Sequence, residues 1–223
     1  MGTTIPKAFL TLGGIPMVVH SLRTLSLVPG LTSITLVIGA DQEAVSRDVL
    51  HRYGSWPVAV RLAHGGPERQ DSVAAGLQMI EANADLVLIH DAARPFVSLS
   101  CVQTCVDTAA AHGAAIVAVA AHDTIKRVEP DMVIVETLDR GRIWLAQTPQ
   151  VFLAALLRDA FERARRDGIT ATDDATLVEH LGHPVRIVAG DPTNRKITTP
   201  DDLRWAEWHL QRASQRTERE WLF

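Results

Sequence analysis

The chain has 223 residues, 47% of them hydrophobic, which is enough to build one sizeable core, and its formal net charge is −4. A surface without a global basic excess suits duplex nucleic acid poorly, and no stretch approaches the roughly 18 apolar residues of a membrane span. Met1 to Lys7 lack the basic and apolar blocks of a signal peptide, and only two cysteines are present, so a soluble protein of the reducing cytoplasm is expected.

In chain order the pattern alternates between strand and helix. The short apolar run Ile34 to Ile38 reads as a buried strand, and Asp41 caps an amphipathic helix towards Tyr53 that Gly54 closes. Val58 to Leu62 reads as a strand, Gly65-Gly66-Pro67 breaks the chain, and Ser72 to Ala82 reads as a helix. Leu86 to Ile89 is the most apolar strand and ends at His90-Asp91. Ser98 or Ser100 opens a helix that carries Cys101 and Cys105 on one face, read as two buried, reduced thiols. Ala114 to Ala120 is a further strand.

From Asp123 to Thr137 the rhythm changes. Two short strands around Glu129-Pro130-Asp131 read as a hairpin, expected to project as an arm over about 122–143. Thr148-Pro149-Gln150 reads as a break. Helices follow from Leu153 to Asp167 and from about Asp173. Val185 to Val188 and Lys196-Ile197-Thr198 read as late strands, and Pro200-Asp201-Asp202 opens a terminal helix whose tail, Gln211 to Glu220, is polar enough to fray. The expectation is one α/β domain over 1–223, with a mainly parallel sheet flanked by helices.

Three places invite chemistry. Open α/β sheets bind ligands beyond the carboxyl ends of their strands, where Asp91 falls, in His90-Asp91-Ala92-Ala93-Arg94-Pro95. The two alanines leave room for a ligand, although Asp91 could equally cap the next helix or pair with Arg94. His90 reads as a structural histidine. In Gly65-Gly66-Pro67-Glu68-Arg69-Gln70-Asp71-Ser72, glycine permits close backbone approach and the Ser72 hydroxyl could donate to a base or phosphate, or the segment is an ordinary turn with a helix cap. Lys7, Arg140 and Lys196, each taken alone, read as surface cations.

Taken in order, Pro6-Lys7, Gly66 with Arg69 and Asp71-Ser72, His90 to Pro95, Asp123-Thr124, Asp139-Arg140, Thr148-Pro149-Gln150 and Lys196-Ile197-Thr198 resemble the 2-C-methyl-D-erythritol 4-phosphate cytidylyltransferases from Pro6 to about Leu210. The resemblance implies a Rossmann-like nucleotidyltransferase that joins CTP to methylerythritol phosphate with Mg²⁺, as a homodimer with interlocking β-arms. It implies that Lys7 stabilises the transition state, that Arg140 and Lys196 position the substrate phosphate, and that Asp91, Arg94 and Thr124 line the acceptor site. Gly66, Arg69 and Ser72 fall to the nucleotide.

The family pattern also places a strand and a glycine-rich loop ending in a catalytic arginine ahead of the Pro-Lys pair. Here Thr3-Thr4-Ile5 reads as the start of that strand and Pro6-Lys7 as the far side of the loop, so a discontinuity is expected between Gly2 and Pro6. The cyclase domain that some members carry after this one is not expected. Two other readings stay open: a cytidylyltransferase for ribitol phosphate or another sugar phosphate, and an inactive binding or scaffold subunit.

Overall fold

The computed structural model describes residues 6–220, with side chains described as far as residue 213. The expected discontinuity between Gly2 and Pro6 lies outside the described residues. In chain order the elements are β1 (Thr11–Leu12), β2 (Ile15–Pro16), α1 (Met17–Leu25), β3 (Ser33–Ile38), α2 (Glu43–Tyr53), β4 (Ala59–His64), α3 (Arg69–Gln78), β5 (Leu86–Ile89) and α4 (Leu99–His112). They continue with β6 (Ala114–Ala120), β7 (Lys126–Val128), β8 (Ile134–Thr137), β9 (Trp144–Leu153), α5 (Ala154–Asp167), α6 (Asp174–His180), β10 (Arg186–Ala189) and α7 (Pro200–Glu220). Among the described residues no helix is long and apolar enough to cross a membrane.

The chain divides into two compact units. One takes in the chain through Ile80, Asp91–Leu99 and the chain from Asn194 onward; the other takes in Glu81–His90 and Ser100–Thr193.

In the first unit β3 and β4 pair in parallel, with Ile34 opposite Val60 and Leu36 opposite Leu62. Helix α1 has no counterpart among the expected elements. Its apolar face repeats at Val18, Leu22 and Leu25, all buried, and Val18 and Leu22 pack with Phe9, Ile38 and Val49 into one core. A second cluster joins Leu12 and Met17 to Ile197 and to Ala206 of α7, with Phe96 edge-on to Trp205 at 5.8 Å. That cluster ties α7 to the segments around Asp91 and Lys196. Two helix starts differ from the expectation. Asp41 lies in a 3-10 turn, Ala40–Gln42, ahead of α2, and α3 begins at Arg69, three residues before Ser72.

In the second unit the sheet order is β10-β6-β9-β5. Strand β6 runs parallel to β10, whereas β9 runs antiparallel to both β6 and β5. The parallel arrangement expected of the sheet therefore holds for β5, β6 and β10, and β9 makes it a mixed sheet. The expected break at Thr148-Pro149-Gln150 lies inside β9, which is buried from Gln147 to Phe152. The β6–β9 register shifts between Ile116 and Ala118, opposite this stretch, and such an irregularity lets a strand hold a proline that cannot donate to the ladder.

Gln150 is just 1% exposed, yet both ends of its amide are engaged. Nε2 donates to Asp173 Oδ2 at 2.9 Å, and Oε1 accepts from the amides of Asp174 and Ala175 at 3.1 and 3.2 Å. A polar residue in a buried strand thus anchors the start of α6. The hairpin is shorter than expected: β7 and β8 pair antiparallel, Lys126 opposite Thr137, with every residue of both strands exposed.

Lys196-Ile197-Thr198 forms no strand. Exposure alternates along it, with Ile197 buried at 1% between exposed neighbours, which is the pattern that imitates one. Its hydrogen bonds run to a loop and to α7 instead of a ladder: the Ile197 amide donates to Ala93 O at 2.8 Å and Thr198 donates to Asp202.

The anchoring role of Gln150 is open to test. Gln150→Leu keeps the volume but removes the donor to Asp173 Oδ2 and leaves two buried amides unpaired, so the unfolding free energy should fall by on the order of 2–4 kcal/mol in urea titrations. A loss below about 0.5 kcal/mol would show that these bonds do not hold α6.

Candidate active site

The site grows from the turn that follows β5. Arg94 N donates to Asp91 O at 2.9 Å and closes the turn. Buried Ser21 of α1 directs its hydroxyl at Ala92 O and Arg94 O, each 3.4 Å away, and Pro95 is buried behind them. The turn is joined to the Lys196 segment twice, by Ile197 N to Ala93 O at 2.8 Å and by Arg94 Nη1 to Asn194 O at 2.7 Å.

These contacts set three cations around one carboxylate. Lys196 Nζ lies 2.9 Å from Asp91 Oδ2, Arg69 Nε lies 3.5 Å from Oδ1, and Arg94 Nε lies 3.8 Å from Oδ2. Burial pushes the Asp91 carboxyl up, but the hydrogen bond and charge of Lys196, with the charges of Arg69 and Arg94, outweigh it and hold the group below its ordinary value. Three positive groups against one negative leave an excess of two positive charges. That excess matches a phosphate monoester, which is mostly a dianion near neutral pH because its second pKa is about 6.

The segment carrying Lys196 has no helix or strand of its own, and Asp202 supplies its order. Asp202 Oδ2 accepts from Thr198 N and Thr198 Oγ1 at 3.0 Å each and from Thr199 N at 2.9 Å. Its own amide donates to Thr199 Oγ1 at 3.1 Å, and Arg195 Nη2 meets Oδ1 at 2.7 Å. Burial pushes this carboxyl up too, but the bonds from Thr198 and Thr199 prevail and bring it to about 2. Asp202 had no part in the expected site. Thr199-Pro200-Asp201-Asp202 does carry a signal, a capping box with proline at the first helical position, but that signal predicts a helix start and not a clamp on the preceding loop.

The glycine segment is packed against the first turn of α3. A Cβ on Gly65 would come within 2.5 Å of Ser72 Oγ, and one on Gly66 within 2.4 Å of Asp71 Cβ, so space and not backbone strain demands glycine at both. The Ser72 hydroxyl folds onto Glu68 O at 3.2 Å and Gly66 O at 3.4 Å. Because α3 starts at Arg69, Arg69 and Ser72 sit three apart on its opening turn. Lys7 is exposed on the short 3-10 turn Lys7–Phe9.

Asp91, Arg94, Arg69 and Lys196 are thus brought together within the first unit. Thr124 and Arg140 belong to the second, at the root of the hairpin. Thr124 is exposed, and Arg140 Nη1 donates to His122 O at 2.6 Å. Asp139 does not pair with Arg140 but caps the turn by accepting from Gly141 N at 3.1 Å. His90 is structurally engaged, its Nδ1 being 3.1 Å from Thr148 Oγ1. Both cysteines are free; Cys105 is buried and Cys101 half-buried. Burial, then the charge of Cys101, pushes the Cys105 thiol up to about 12, far from a reactive thiolate.

Asp202 also makes acid stability testable. Its folded value of about 2 lies below the ordinary 3.8, so its contribution is full above the ordinary value and is lost as pH falls through the folded one. The difference corresponds to about 2 kcal/mol at neutral pH. Asp202→Asn should therefore be less stable than the parent at pH 7, and the gap should close between about pH 4 and pH 2 in denaturant titrations. A gap that is constant over that range would contradict the assignment.

Residues 1–212 match the family described as 2-C-methyl-D-erythritol 4-phosphate cytidylyltransferase. A protein of that name from Symbiobacterium thermophilum is 45% identical over 211 residues, covering 95% of this chain and 87% of its own. The chloroplastic protein of that name from Oryza sativa subsp. japonica is 42% identical over 207 residues, covering 93% and 69%. Among solved structures, the 4-diphosphocytidyl-2C-methyl-D-erythritol synthase of Anaerococcus prevotii superposes with a TM-score of 0.85 at 31% identity, covering 92% of this chain and 93% of that one. The cytidylyltransferase of Thermus thermophilus gives 0.78 at 35%, covering 92% and 94%. The turn at Asp91, the glycine segment before α3 and the Lys196 segment lie within the matched span, and the chain belongs to the 2-C-methyl-D-erythritol 4-phosphate cytidylyltransferase family.

Proposed function

We propose that Asp91, Arg94 and Lys196 form the acceptor side of the family reaction, in which the cytidylyl group of CTP passes to 2-C-methyl-D-erythritol 4-phosphate and pyrophosphate leaves. The observation that carries this reading is the convergence of three cations on the Asp91 carboxylate at the end of β5. The acceptor is already ionised, so no strong general base is needed. One of its phosphate oxygens attacks the α-phosphorus of CTP, and the bond from that phosphorus to the pyrophosphate oxygen breaks in line. The protein's task is positioning and charge stabilisation.

In this reading Lys196 and Arg94 hold the acceptor phosphate, and Asp91 orients them and accepts from the polyol hydroxyls. Lys7 neutralises charge developing at the α-phosphate. Gly66 and Ser72 receive the cytosine, and Arg69, 3.5 Å from Asp91 on the opening turn of α3, spans the nucleotide and acceptor sides. Magnesium would enter on the phosphates of CTP. The described residues hold no group of three metal-ligating side chains, and Asp91 is engaged by cations, so the ion's ligands would come mainly from phosphate oxygens and water.

We further propose a homodimer in which the hairpin of one subunit brings Thr124 and Arg140 to the acceptor site of the other. Support comes from the apolar side chains that the hairpin exposes, Met132 at 76%, Ile134 at 58% and Val133 at 56%, a patch of the kind that marks an interface.

Pyrophosphate release should require CTP, methylerythritol phosphate and Mg²⁺ together; equal or better turnover with ribitol phosphate would overturn the acceptor assignment. Arg140→Ala and Lys196→Ala should each lower kcat/KM by about one to two powers of ten. The stability of Arg140→Ala should barely change, because that side chain is exposed, whereas Lys196→Ala also removes the nearest partner of Asp91 and should cost some stability. Mixing the two impaired variants should raise activity above that of either alone, through heterodimers with one intact site. A monomeric protein, or a mixture no more active than either variant after proven subunit exchange, would end the shared-site proposal.

A further inference from the structure

We infer that Asp202 is a positioning residue for cytidylyl transfer: its carboxylate holds residues 195–199 in the shape that presents Lys196 to the acceptor phosphate. The inference rests on the role proposed for Lys196. A lysine ammonium rides on a flexible four-carbon stem, so its aim depends on the backbone beneath it. Here that backbone has no ladder to fix it. Asn194 is tied through its carbonyl to Arg94, and Ile197 through its amide to Ala93. Four further ties converge on Asp202, which receives Thr198 N, Thr198 Oγ1, Thr199 N and the guanidinium of Arg195.

A helix cap alone does not account for this arrangement. A capping box needs only the reciprocal pair between Thr199 and Asp202, Oδ2 taking the Thr199 amide and Thr199 Oγ1 taking the Asp202 amide. The bonds from Thr198 and Arg195 reach further back along the chain and flank Lys196 on both sides. Arg195 also lies over the ring of Trp205, 5.6 Å from its centroid, which holds it on the α7 side while Ile197 is buried in the adjoining core. Lys196, between them, is left directed at Asp91, 2.9 Å away. Asp202 is itself 4% exposed, and burial of that carboxylate is sustained only by the bonds it receives.

The test compares Asp202→Asn with the milder Thr198→Val, each alone and with Lys196→Ala, in steady-state kinetics with both substrates. Asp201→Asn is the control, a carboxylate on the same helical turn whose partner is Arg204. Asp202→Asn should raise KM for methylerythritol phosphate by about tenfold and leave KM for CTP within about twofold; Thr198→Val should act in the same direction by about two- to threefold, and Asp201→Asn should have no effect. In the Lys196→Ala background the additional effect of Asp202→Asn and of Thr198→Val should fall below about twofold, because the group they position is gone. Equal losses in both backgrounds, or equal rises in KM for both substrates, would reduce Asp202 to a helix cap. Should Asp202→Asn fail to fold, Thr198→Val carries the same comparison. If Lys196→Ala itself proves silent, Lys196 leaves the reaction and this inference falls with it, an outcome separate from a Lys196 that matters and an Asp202 that does not.

Discussion

The carboxylate of Asp91 is the constraint on which the site depends. It emerges from the end of a strand into partly buried surroundings, where a charge without partners would be costly. Lys196, Arg69 and Arg94 supply those partners, and each comes from a different stretch of chain: the segment before α7, the first turn of α3 and the turn after β5 itself. The need runs both ways. Three cations this close repel one another, and the single negative group makes their approach tolerable. One partly buried charge therefore brings together segments more than a hundred residues apart, and it leaves an excess of positive charge around it.

This arrangement suits a reaction whose nucleophile arrives ionised. No side chain has to remove a proton from the attacking oxygen, and His90, the histidine next to Asp91 in sequence, is engaged with Thr148. What the chemistry needs is aim, and the structure provides it through backbone. Ser21 holds the carbonyls of the Asp91 turn, Ile197 stitches that turn to the Lys196 segment, and Asp202 orders the far side of the same segment. Charged tips whose supporting segments are locked by buried hydrogen bonds make a rigid cluster.

Much of this could be read before the structure. Strands β5 and β6 have the bounds their sequences suggest, because a continuous apolar run bounded by polar residues leaves little choice. Asp91, Arg94 and Lys196 were recognisable as a set through resemblance, and the position of Asp91 at a strand's carboxyl end gave a separate physical reason to expect a ligand there. Helix α1 is also legible in the sequence, through the repeat of Val18, Leu22 and Leu25. Thr148-Pro149-Gln150 misled for a sound reason. Proline marks a break in most strands and a buried glutamine is unusual in one, and here a register shift accommodates the first while hydrogen bonds at both ends of the amide offset the second.

By itself the sequence determined the alternation of elements, the apolar faces that bury them, the charged residues that gather around Asp91 and the family to which the chain belongs. These are local or additive properties, carried by periodicity and by short strings of residues. Only the tertiary structure decided that Arg69 faces Asp91, that Lys196-Ile197-Thr198 is a clamped loop despite its strand-like alternation, and that Asp202 is its clamp. Each of those facts turns on where a buried carboxylate finds its donors. That depends on which distant segments the packed core brings within about 3 Å of it, a distance at which hydrogen bonds form and which no spacing along the chain encodes.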